Sequence, residues 1–239
     1  MGYLLSGFID ACTSYGTNLF WPLNSIRVSW HIISVVDPLF TLILIVAIIT
    51  GYKNNSSVFS RIGILLAGSY LLFTFSQMNH AENLIKELAA KRDHTIEKII
   101  IKPTIGNALL WRSVYLSNET FYVDAVRVGL SKRIYQGGTI KKFDMKKKYP
   151  ELDVNSQLAK DIKRFGKFSD NYVSQYPGKP NLLGDIRYSI LPTGTTPLWA
   201  IEMDLDNTNE HVKLINYRNM SKEVKQQFFD MLLGKSINE

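Results

Sequence analysis

The sequence predicts an α-helical membrane part of two to three helices followed by a soluble α+β domain with antiparallel strands. Three observations carry that prediction: two charge-free apolar runs in the first third, a change to amphipathic helical spacing near His80, and alternating Val-, Tyr-, Phe- and Trp-rich segments beyond Ile99. The mean hydropathy of −0.04 averages these regions and so conceals them. The expected organisation is membrane-embedded helices over 1–78, a linking amphipathic helix over 79–98 and a soluble α+β domain over 99–239.

The first apolar piece, Tyr3 to Leu23, is interrupted by Asp10 and by Ser, Thr, Asn and Gly. It lacks a basic start and a small-residue cleavage site, so it does not read as a signal peptide. It reads as the end of a membrane helix running into a buried or re-entrant loop, a backbone tolerated at membrane depth only under protein cover. The next run, Pro38 to Tyr52, carries no charge. Extended back to Trp30 it reaches about 22 residues, enough at about 1.5 Å per residue to cross a ~30 Å hydrocarbon layer. Ser60 to Met78 also reaches, and the short polar link Lys53 to Phe59 makes the two a helical hairpin. A pair of buried helices in a soluble protein is the alternative, disfavoured by the absence of charge.

Ala81 to Glu97 places Leu84, Ile85, Leu88 and Ala89 on one helical face, continuing or abutting the membrane helix. Ala108–Leu116 and Thr120–Leu130 read as a hairpin around Ser117-Asn118-Glu119. Ile134 to Ile140 reads as a strand with a Gly137-Gly138 turn, and Lys141 to Lys148 as a solvated polar loop, with lipid headgroups as the other candidate contact. Asn155–Phe165 has helical spacing. Gly184–Leu191 and Pro197–Leu205 form a second strand pair, and His211–Tyr217 a further strand. Ser221 caps a last helix that Gly234 stops.

The net charge is +7, and from Asn79 onward 25 Lys and Arg face 19 Asp and Glu. A hairpin returns the chain to its starting side, so Arg27, Lys86, Lys91, Arg92 and Lys98 share one compartment. The positive-inside rule makes that side, and the C-terminal domain, cytoplasmic, against the weaker signal of Lys53 and Arg61. Basic residues of this kind meet a lipid bilayer, and no pattern of a nucleic-acid module is visible. The one cysteine, Cys12, excludes an internal disulfide and a Cys-based zinc cluster.

Hydrolytic metal chemistry needs carboxylates and imidazoles converging on one point. Only His31, His80, His94 and His211 are available. His31 reads as interfacial, His94 and His211 as surface groups, and His80 as an interfacial residue or a site neighbour. Asp37-Pro38 has two readings: a helix cap followed by a first-turn proline, or an intramembrane carboxylate facing the bundle interior with Asp10. No HExxH, GxSxG or nucleotide-cradling glycine loop occurs.

The element Asp10-Ala11-Cys12-Thr13-Ser14-Tyr15-Gly16-Thr17, with Phe20-Trp21-Pro22 and Val36-Asp37-Pro38-Leu39-Phe40-Thr41-Leu42, resembles the bacterial inner-membrane metal-dependent hydrolase family, also described as LexA-binding, inner-membrane-associated hydrolases. The resemblance continues through Leu110-Trp111-Arg112, Phe121-Tyr122-Val123-Asp124, Gly184-Asp185-Ile186-Arg187 and Pro197-Leu198-Trp199, and so over nearly the whole chain. It implies residence in the bacterial inner membrane and a divalent metal ion. The family carries His-Arg-Gly and Thr-His-Ser elements upstream and a His four residues before the motif Asp, all implied metal ligands. Here Ser6 stands four before Asp10 and no upstream element is present. Only Asp10 carries over, so the chain is expected to be shortened at its N-terminus or to be a divergent member, and in either case a poor hydrolase alone.

The expected metal-site residues are therefore Asp10, Asp37 and His80, with Thr13, Tyr15, Thr17 and Arg112 as further candidates. The leading expectation is an inner-membrane protein resembling metal-dependent hydrolases. The alternative is a non-catalytic membrane-anchored interaction module that binds a protein partner or a second copy, in which Arg112, Asp124, Asp185 and Arg187 form structural ion pairs or partner contacts. A transporter or channel fragment with Asp10 and Asp37 on an ion path is a third reading.

Overall fold

The computed structural model describes residues 2–129, 131–217 and 220–237, with side chains from residue 5 onward. The chain forms two compact units, one made of Met1–Lys86, Ile101–Arg112 and Val126–Arg133, the other of Glu87–Ile100, Ser113–Ala125 and Ile134–Glu239.

The first unit holds α1 (Gly2–Cys12), α2 (Pro38–Lys53) and most of α3 (Ser57–Lys91). Between α1 and α2 the chain is irregular but tied down. Trp30 N donates to Ala11 O at 2.7 Å, Ile32 N to Cys12 O at 2.8 Å, and Thr17 and Val28 exchange backbone bonds. Trp30, Ile32 and Ile33 thus bond to the end of α1 and residues 30–36 are not helical, which corrects the expected extension of the first span back to Trp30.

Asp37 caps α2 and Pro38 opens it, as the first of the two readings of Asp37-Pro38 had it. The remaining 16 residues reach only about 24 Å, short of a ~30 Å hydrocarbon layer. Among the described residues α3 alone is long and apolar enough to span. The expectation of two to three spanning helices is corrected to one, with α1 and α2 as shorter helical companions. Large apolar side chains on α2 and α3 are exposed, including Leu42, Ile48, Leu65 and Leu72. Small residues let α2 and α3 approach: a Cβ built on Gly63 would lie 2.2 Å from Ala47 Cβ. The expected linking helix is the uninterrupted continuation of α3 through His80, ending at Lys91 and not at Glu97. Asp93 turns the chain there with φ of 54°.

Two four-stranded antiparallel sheets follow, of orders β1-β2-β3-β4 and β5-β6-β7-β8. The first comprises β1 (Lys98–Pro103), β2 (Leu110–Ser117), β3 (Thr120–Arg127) and β4 (Arg133–Lys141). The β2–β3 hairpin lies where expected, turning through Asn118 and Glu119 at positive φ; Leu130, the last residue of the expected second strand, lies outside the described residues. The second sheet comprises β5 (Val173–Tyr176), β6 (Lys179–Asp185), β7 (Trp199–Glu202) and β8 (Lys213–Asn216), with Leu183 opposite Gln175 and Ile201, and Ala200 opposite Ile215. Strand β5 was not expected, and β6 lies upstream of its expected position.

Gly137 and Gly138 sit inside β4 and form no turn. A Cβ on Gly137 would lie 2.4 Å from both Thr193 O and Val123 O, so backbone on two sides demands glycine. Gly137→Ala is expected to destabilise the second unit by about 1–3 kcal/mol, read as an earlier midpoint in thermal unfolding.

The lysine run is also not wholly a loop: Met145–Lys148 forms the short helix α4, whose N-cap Asp144 accepts from Lys146 N and Lys147 N. Helix α5 (Gln157–Phe168) is capped by Ser156, and α6 (Lys222–Leu233) by Ser221, with Gly234 left-handed at its end. Two apolar clusters fill the second unit. Val114, Leu116, Phe121, Val123, Tyr172 and Ile186 form one; Leu158, Ile162, Val173, Leu183, Ile201 and Met203, beneath α5, form the other.

Candidate functional site

The residues expected to hold a metal fall into different environments. Asp10, near the end of α1, and His80, midway along α3, are exposed. Asp37 is buried, at 4% exposure, and both its carboxylate oxygens are engaged. Phe40 N donates to Oδ1 at 3.0 Å, and Tyr70 Oη donates to Oδ1 at 3.1 Å and Oδ2 at 2.9 Å. The carboxylate therefore ties the start of α2 to the middle of α3.

Thr13 acts locally: its hydroxyl donates to Asp10 O at 2.8 Å and accepts from Gly16 N at 3.3 Å. Gly16 is required there, since its φ is 65° and a Cβ would meet Val28 O at 2.2 Å. Thr17 shares its backbone with Val28, Tyr15 is exposed, and Arg112 is buried in β2. Among the described residues no three His, Cys, Asp or Glu side chains come together as a metal site. The donor set of Asp10, Asp37 and His80 does not fit a resident divalent ion: two members are exposed, and the third is held by a cap and a tyrosine.

The second unit concentrates charge in buried pairs. Asp185, at the end of β6, accepts from Arg187 N at 3.1 Å, Nε at 3.0 Å and Nη2 at 2.8 Å. Arg187 also donates to Phe168 O at 2.7 Å and pairs with Asp170. Asp124 in β3 takes both guanidinium arms of Arg92, at 2.7 and 3.1 Å. The Asp124 carboxylate, foremost among the contacts, holds the Arg92 guanidinium further into its charged form.

Tyr115 Oη lies 3.1 Å from Arg92 Nη1 and 2.8 Å from His94 Nδ1, with the Tyr122 ring stacked on Tyr115. Burial pushes the Tyr115 hydroxyl pKa up, so it serves as a neutral donor and acceptor. Sequence reasoning singled out Asp124, placed Arg92 only in a basic cluster, and missed Tyr115. Arg112, grouped with these pairs, is placed in the other unit.

A third pair joins α5 to the chain before β8. Asp161 Oδ2 accepts from Val212 N at 3.2 Å and meets His211 Nδ1 at 2.9 Å, while Gln157 donates to Oδ1 at 3.0 Å. Burial opposes ionisation of Asp161, but these three contacts outweigh it and leave its pKa below the usual value. A depressed carboxylate pKa stabilises the fold above the unfolded value, near 4, and the contribution disappears as pH falls through the folded value. Unfolding midpoints followed from pH 5 to pH 3 are expected to drop less steeply in Asp161→Asn than in the parent chain.

Residues 1–81 match the model of the YdjM inner membrane protein family. The matched stretch covers α1, α2 and the apolar part of α3, and together with the spanning length of α3 it makes the helical part membrane-associated. It carries no statement about metal or hydrolysis, and it is confined to the first third where the expected resemblance ran over nearly the whole chain. No curated protein and no solved structure matches the chain.

Proposed function

We propose that this chain is an inner-membrane-anchored binding protein whose second unit engages a ligand or partner, and that it does not act alone as a metal-dependent hydrolase. The observation that carries this reading is the engagement of Asp37. The only buried carboxylate of the expected metal set is held by Phe40 N and Tyr70 Oη. The buried pairs Asp185–Arg187 and Asp124–Arg92 support the same reading, because each carboxylate is matched by a guanidinium and neither is left to act on a substrate.

A cytoplasmic second unit is part of the proposal. The cluster Lys86, Lys91, Arg92 and Lys98 at and after the end of α3 outweighs Arg27, Lys53 and Arg61 before or at its start, and supports it through the positive-inside rule. A fluorescent-protein fusion at the C-terminus, which matures only in the cytoplasm, tests the orientation.

Metal analysis of the full chain purified from membranes, parent against Asp10→Ala, tests the non-hydrolytic part. No stoichiometric divalent ion is expected in either. A bound ion lost with Asp10 would overturn the reading.

A further inference from the structure

A groove of about 1050 Å³ crosses the second unit, lined by the end of β4, the α4 turn, α5 and β5. Its floor is apolar, with Ile162 and Val173 buried and Phe143 half-buried. Its rim carries Lys141, Lys142, Lys147, Lys148 and Lys163, brought from two separate stretches of chain. The three rim acids are already engaged. Asp144 caps α4, Glu97 Oε1 accepts from Asn118 N at 2.8 Å, and Glu119 pairs with Lys147. Among the described residues no carboxylate pairs with Lys141, Lys142 or Lys148.

The five rim lysines outnumber the three rim carboxylates, and an excess of ammonium groups on the rim of a concave surface concentrates anions, because their fields add where water is partly excluded. Small-molecule sites span about 300–1,000 Å³, so this groove suits one phosphorylated molecule or one lipid headgroup better than a nucleic-acid strand. The geometry points to a binding site for a phosphate-bearing ligand in this groove, with Lys141, Lys142 and Lys148 as the anion contacts and the Phe143–Ile162–Val173 floor open to the apolar part of a lipid ligand. The ligand is the phosphodiester headgroup of an anionic lipid or a soluble phosphate. The inference goes beyond the binding-protein reading, and its failure leaves the metal and orientation tests above untouched.

The full chain in neutral detergent is titrated by calorimetry with short-chain dihexanoyl phosphatidylglycerol and, separately, with inorganic pyrophosphate. Saturable binding is expected in at least one titration, and the arm that binds identifies the source. Added salt is expected to weaken it. The triple variant Lys141→Ala/Lys142→Ala/Lys148→Ala should bind at least tenfold more weakly, while the charge-preserving Lys→Arg triple variant retains binding. Lys222→Ala/Lys225→Ala on α6, an equally exposed pair outside the groove, should leave affinity unchanged. Absence of saturable binding to both probes overturns the inference, as does equal loss in the α6 variant.

Discussion

Replacing Asp185 by alanine is expected to cost the second unit about 3–5 kcal/mol, the usual penalty for stranding one member of a buried ion pair. Both partners are nearly sealed from water, with side-chain exposures of 2% for Asp185 and 9% for Arg187. The carboxylate takes the Arg187 backbone N–H as well as two guanidinium nitrogens, so its removal unsatisfies three donors at once. Thermal unfolding of the full chain in detergent should show a midpoint lower by on the order of 10 °C.

Asp170→Asn is the matched control. Asp170 pairs with the same guanidinium but its side chain is 58% exposed, so its loss should cost less than about 1 kcal/mol. Equal effects from the two substitutions would show that burial does not set the strength of this pair. Replacing both members, as Asp185→Leu/Arg187→Met, should cost less than the sum of the two single changes, because no charge is left stranded.

What the sequence revealed and what it hid follow from how far apart the causes lie along the chain. The apolar runs around α2 and α3, the hairpin turn at Asn118-Glu119, and the Ser221 and Gly234 stops are local signals, and each element formed. The start of α2 was ambiguous because residues 30–36 are apolar enough for helix. Their backbone bonds to Ala11 and Cys12, some 20 positions upstream, which no local pattern announces. Gly137-Gly138 carries the composition of a turn. Its cause is instead the close approach of Thr193 O and Val123 O, again non-local. Strand β5 is short and reads Val-Ser-Gln-Tyr, too polar to register as a strand without its partner β6.

The candidate site divides in the same way. Asp37 was legible as a cap because the signal, Asp before Pro at a helix start, is local. Its bond to Tyr70, 33 positions away, was not. Asp10 was singled out by a family motif whose companion residues are not in this sequence, and its environment, exposed near the end of α1, is that of an ordinary surface carboxylate. The lysine rim was visible as a charge run, but only folding brings Lys163 of α5 across from it and creates a concave surface. Sequence order therefore disclosed the charges and withheld the cavity.

Asp124→Ala is the second large effect expected, at about 2–4 kcal/mol, reduced from the fully buried case because the Arg92 side chain is 22% exposed. Asp124 Oδ1 also accepts from Gly137 N at 3.2 Å, so alanine leaves that strand amide unsatisfied as well. Arg92 follows directly on the last residue of α3, and Asp124 is its only carboxylate partner among the described residues, with Tyr115 Oη as its neutral one. Loss of the carboxylate should free the peptide after Arg92 to local unfolding before the sheets themselves melt. Limited trypsin digestion of the detergent-solubilised chain reads this directly, since cleavage after Arg92 requires the guanidinium to leave Asp124. Fragment mass should show that cut appearing at least tenfold faster in Asp124→Ala than in the parent. Asp124→Asn, which retains an oxygen for Gly137 N but removes the charge from Arg92, should fall between them. An unchanged cleavage rate in Asp124→Ala would mean that Tyr115 and the turn at Asp93 hold the end of α3 without the carboxylate.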